Sequence, residues 1–220
     1  MEVNTDVMKA LSQLVLVKEE ERDQSWENSF FQKFTEGAVT VLAADPQQGP
    51  DGWPYLMVQT EEKSQDSVQK ILHWCATKGV GLAVNPTKEY PDYVFTYGMI
   101  WHFRQTGYFF KDQMDIKNGI VELKQQDEIR AGSPSVEFLP EYVRSILREF
   151  FRDQAVLNPK ILMLSQDGGK QFDLCFSIES LGNPPTKEHQ GILEALSWFF
   201  PPHYSLMLIS EKNMPPFFNL

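Results

Sequence analysis

Apolar residues recur at two spacings along this chain, and the order of those spacings sets out its elements. Positions 26, 30, 31 and 34 in WENSFFQKF follow helical spacing, as does the looser pattern from Val7 to Arg22, whose KEEER stretch faces solvent. Ala38–Ala44 and Trp53–Thr60 read as strands, joined across the turn-rich Asp45–Gly52 into a long-looped hairpin. Ser64–Lys78 reads as a helix with Val68, Ile71, Leu72 and Cys75 on one stripe. Gly79 ends it, and the nearly all-apolar Val80–Asn85 reads as a central strand.

The same order returns in the second half. Glu137–Asp153 is a helix with Leu139, Val143, Ile146, Leu147 and Phe150 on one face. Lys160–Ser165 and Phe172–Ile178 are strands flanking QDGGKQ, where Asp-Gly-Gly supplies the positive φ of a tight turn. A helix capped by Thr186 runs to about Phe200, and Tyr204–Ile209 is the last strand. Both halves read helix–strand–strand–helix–strand without residue identity between them. The pattern therefore predicts an α+β fold of two small lobes with mixed or antiparallel sheets, residues 1–124 and 135–220. The charged, turn-prone Gln125–Pro134 reads as the linker.

One stretch departs from ordinary patterning: Tyr90–Phe110 carries nine aromatics in 21 residues. Taken as a helix over Pro91–Gly107, it places Val94, Tyr97, Trp101 and Arg104 on one stripe. Rings bury more area than other side chains, so packing of core or of lobe on lobe is the first reading. The rival is an exposed aromatic groove for a partner, or a ligand site between the lobes lined by Tyr93, Tyr97, Trp101 and His102.

Charge narrows the partners. The net charge is −10, and residues 1–62 hold 12 acids against four bases. Nucleic acids and anionic membranes are bound through clustered Lys and Arg, so both are poor partners for this chain. No apolar run approaches the ~20 residues that cross a bilayer. The N-terminus lacks a basic region followed by a cleavage site, and Cys75 and Cys175 sit in apolar surroundings, so a reducing cytoplasm is the expected compartment. Against the acidic background, Arg144, Arg148 and Arg152 recur every four residues on one helix. They read either as local pairs with Glu141, Glu149 and Asp153 or as a docking ridge for an acidic partner.

Catalytic signatures are sparse. G-x-S-x-G, H-E-x-x-H, the P-loop and C-x-x-C do not occur, and Gly79-Val80-Gly81 follows a helix and lacks a third glycine. His73, His102, His189 and His203 have no metal-ligand spacing. Cys175 falls mid-strand and Cys75 near a helix C-terminus, where neither position favours a thiolate. No catalytic residue, cofactor or metal is expected. The tail MPPFFNL places Phe217 and Phe218 either back on the sheet or in a neighbouring molecule.

The segments FFQKF…AVTVLAA, WPYLMVQTEEKSQDSVQKIL and GVGLAVNP resemble the N-terminal domain of the SseB (enhanced serine sensitivity) family. LPEYVRSILREFFRDQAVLNPKILML, followed by a hairpin and the final PPFF, resembles that family's C-terminal domain. The resemblance covers roughly Trp26–Phe110 and Leu139–Phe218, and relatives carry a longer tail after the PPFF. It implies a bacterial cytoplasmic protein without established catalysis. It also implies an accessory role linked to serine sensitivity and a rhodanese-like sulfurtransferase. The resulting expectation is an interaction protein that binds a protein partner or itself; the alternative is a small-molecule binder or enzyme using the Tyr93–His102 stretch.

Overall fold

In the computed structural model, residues 5–61, 63–88, 90–109, 130–166 and 171–220 are described. The chain divides into two units, Met1–Phe109 and Phe110–Leu220.

The N-terminal unit begins with α1 (Thr5–Leu14), a short 3-10 turn (Glu19–Glu21) and α2 (Gln24–Glu36). The single helix expected over Val7–Arg22 therefore stops at Leu14. The Asp23 carboxylate accepts from the Trp26 N–H and starts α2, which buries Trp26, Phe30, Phe31 and Phe34, the apolar spacing seen in the sequence. Next come β1 (Ala38–Val41), β2 (Gln47–Gln48), β3 (Pro54–Gln59), β4 (Asp66–Ser67), α3 (Val68–Lys78) and β5 (Gly81–Val84). β1 and β3 pair antiparallel, the expected long-looped hairpin, and α3 carries the chain across to β5, which lies parallel to β3. Gly79 closes α3 in the left-handed region at φ 69°. Gly81 passes so close to the Tyr55 ring that a Cβ there would sit 2.5 Å from it.

The aromatic stretch is not one helix. Tyr93–Phe95 form β6, antiparallel to β5, and only Tyr97–Thr106 are helical, as α4. Thr96 divides them: its hydroxyl accepts from the Met99 N–H and caps α4. The sheet runs β4-β1-β3-β5-β6, with β2 added on β3, so β5 is interior and buried throughout.

The C-terminal unit contains β7 (Arg130–Gly132), α5 (Glu141–Asp153), β8 (Lys160–Gln166) and β9 (Gln171–Ser177). It ends with α6 (Thr186–Ser197), β10 (Ser205–Ile209) and β11 (Phe218–Asn219). β8 and β9 pair antiparallel, and α6 carries the chain to β10, parallel to β9. The expected helix–strand–strand–helix–strand order holds in both units, and the fold is α+β with two mixed sheets. The tip of the expected 166–171 turn and residues 125–129 of the expected linker lie outside the described residues. Arg130–Gly132, read from the sequence as linker, pair with β8. Pro140 sits at the N-cap of α5 and delays its start to Glu141. The helical face of the sheet packs Phe176 against Phe151 and Phe200, at ring separations of 6.0 Å each.

Candidate functional site

The central rings of the aromatic stretch are core, whereas Tyr90 and Tyr108 toward its ends are exposed. Tyr97 and Trp101 have no exposure and His102 is buried. The Tyr97 hydroxyl donates to the Ala76 carbonyl at 3.0 Å, tying α4 to α3. Tyr93, half-buried, stacks on Phe30 and meets Phe31 edge-on, and its hydroxyl donates to Glu27 at 2.5 Å. Burial and the Glu27 carboxylate push that hydroxyl far above its ordinary pKa. These four residues thus join α2, α3, β6 and α4 of the N-terminal unit, and Tyr97 and Trp101 present no surface to a ligand.

A polar cluster lies beside them, at the end of β5. Asn85, with φ 53°, turns the chain there; its amide donates to the Asp92 carboxylate at 2.6 Å and to Thr60, while its oxygen accepts from the Thr60 N–H. Asp92 also receives Arg22 at 2.7 Å and Lys88 at 2.6 Å. The Arg22 guanidinium spans the Asp92 and Val17 carbonyls and lies 4.6 Å from the centre of the Trp26 ring. The arrangement holds the chain after α1 to the sheet. Its donors are already committed, so it is a brace.

The C-terminal unit carries an open groove of about 760 Å³, lined by residues 154–158 after α5, Lys160, Glu179–Gly182 and Glu211. Extending the Ile161–Phe176 pairing one step sets Lys160 opposite Ser177, and β10 places Ile209 beside Ser177. Lys160 meets the Glu211 carboxylate at 3.1 Å, and the fully buried Ser177 hydroxyl donates to it at 2.6 Å. Glu179 accepts from the Ser210 hydroxyl and from the Glu211 N–H at 2.9 Å. The Ser177 hydroxyl and then Lys160 hold Glu211 below the usual carboxylate range; the Ser210 hydroxyl and the Glu211 N–H do so for Glu179. Two carboxylates and one ammonium leave the groove anionic, beside Leu157, which is 75% exposed. Chemically it is a fixed set of acceptors for a cation. Ser177 has no access for attack, so its bond to Glu211 braces the site.

The other candidates fall elsewhere. The three arginines of α5 do not form one ridge. Arg144 is buried, and its guanidinium donates to the Leu139 carbonyl at 2.9 Å and the Pro134 carbonyl at 2.7 Å. Arg148 and Arg152 remain outside and pair with Glu141 and Glu149. The tail folds back in cis: Phe218 pairs with Ile161 through β11, and Phe217 packs against Leu162, Leu164 and Cys175. Both thiols are buried and pushed up to about 12 by burial. Among the described residues, no group of three His, Cys, Asp or Glu is placed to hold a metal ion, and no helix is long and apolar enough to cross a membrane.

Sequence reading did not single out Lys160, Glu179 or Glu211. They stand 19 and 32 residues apart and meet only through the strand register; the one local sign was polar residues where apolar strands end. No family model, no curated protein and no solved structure matches the chain.

Proposed function

We propose that this protein acts by binding a protein partner, as a bacterial cytoplasmic accessory protein of the SseB type. The groove of the C-terminal unit is where the partner docks. The supporting observation is the anionic groove itself: Glu179 and Glu211, held ionised beside the exposed Leu157, match a segment that offers Lys or Arg next to an apolar side chain. The rhodanese-like sulfurtransferase implied by the resemblance is the first partner to test.

A photo-crosslinking residue at Leu157 tests this against the same residue at Val136, an equally solvent-facing position off the groove. The sulfurtransferase of the same organism is expected to crosslink at 157 and not at 136, with the yield lost in Glu179→Lys. Equal yields at both positions, or an adduct indifferent to that charge reversal, retire the groove as the docking site.

A further inference from the structure

We infer that the chain pairs with a second copy of itself along the outer edge of β10, antiparallel and centred on Met207, so that the C-terminal sheet continues across a twofold axis.

Among the described residues β10 is the end of its sheet and is bonded to β9 alone. The Ile178 N–H donates to the Ile209 carbonyl at 3.0 Å, so the peptide groups of Ile209 face β9. Backbone direction alternates along a strand, so Ser205, Met207 and Ile209 face inward, and Leu206 and Leu208 present N–H and C=O to the open side. Sheet edges are ordinarily guarded by brevity, charge, proline or a bulge. The N-terminal unit follows that practice: its edges are β4, two residues beginning at Asp66, and β6, three residues leading straight into α4. β10 does not. It offers five residues, SLMLI, uncharged and half-buried throughout.

The occupant follows from register and charge. Two open residues on either side of a central one make a self-complementary set. Leu206 exchanges both hydrogen bonds with Leu208 of the second copy, Leu208 does so with Leu206, and the two Met207 residues face each other without hydrogen bonds. The same register sets Ile209 opposite Ser205 and Glu211 opposite His203, so no carboxylate meets a carboxylate. A chain of net charge −10 repels its copy most weakly at an uncharged strand.

Light scattering on the full chain is expected to give twice the 25.4 kDa mass, with the dimer strengthened as salt screens the like charges. Leu208→Pro removes only an outward N–H, which a strand edge tolerates, and is expected to leave a folded monomer. Cysteine placement reads the register independently, in a Cys175→Ala background. Met207→Cys brings two thiols about 4.5 Å apart at Cα, within disulfide range, whereas Ser205→Cys keeps its copies roughly 13 Å apart. Under copper–phenanthroline the first is expected to crosslink and the second not. A wild-type chain that stays monomeric to its solubility limit overturns the pairing. Equal crosslinking at 205 and 207 overturns it too, whether or not the proline variant folds.

Discussion

Two carboxylate clusters, one in each unit, are built from the same chemistry and end in opposite settings. In the N-terminal unit, Asp92 meets Arg22 and Lys88 with its side chain 2% exposed, and Asn85 and Thr60 close the remaining positions. In the C-terminal unit, Glu211 meets Lys160 with side chains 30% and 38% exposed, at the wall of an open groove. An ion pair with a buried member holds structure together because breaking it leaves a charge that cannot return fully to water; an exposed pair is weak because both members can. Solvent access, not residue type, separates a buried clasp from an ion pair on the wall of an open groove.

The largest effect is expected at Asp92. Asp92→Ala leaves the Arg22 guanidinium facing an empty buried position and is expected to cost about 3–5 kcal/mol in urea unfolding. Glu211→Gln keeps the Ser177 bond and is expected to leave the unfolding curve in place while weakening binding at the groove. Equal losses would dissolve the distinction.

The arginines of α5 sharpen it within one helix. Arg144→Ala removes charged hydrogen bonds to two buried carbonyls, at about 1.5–3 kcal/mol. Arg148→Ala and Arg152→Ala remove exposed pairs, at ~0.2–0.5 kcal/mol each. A graded set of denaturation midpoints checks the order; three equal shifts would show that burial does not rank these residues.

The thiols give the smallest effect near neutrality. Cys75 and Cys175, in different units, are both held near 12 rather than the ordinary 9.0. The folded state thus keeps protons that the unfolded state loses, and the stability tied to each thiol, complete below pH 9, is lost as pH rises toward 12. Ellman's reagent is expected to react slowly with the native chain at pH 8 and with both thiols once urea is added. Rapid labelling of either native thiol would contradict its burial.

Much of the fold was legible because local signals agreed with it. The α3 stripe ends at Gly79, which does take the left-handed conformation, and WENSFFQKF buries the apolar positions its spacing picked out. Pro91–Gly107 misled because rings and Val94 suit a strand as well as a helix; the choice fell to β5, whose open side β6 fills. Arg144 misled because four-residue spacing fixes only the azimuth of a side chain. What covers it, the turn of chain carrying the Pro134 and Leu139 carbonyls, is not in the helix pattern.

The sequence by itself determined the helices, the strands of both hairpins, their repeated order, and the inert setting of the thiols, since spacing, capping and turn chemistry act over a few residues. Only the tertiary structure decided which charges are buried, where Lys160, Glu179 and Glu211 meet, and which strand edge has a neighbour on one side alone among the described residues. Those outcomes depend on strand register and on neighbours tens of residues away, and a displacement of one residue would turn every side chain of a strand to the other face.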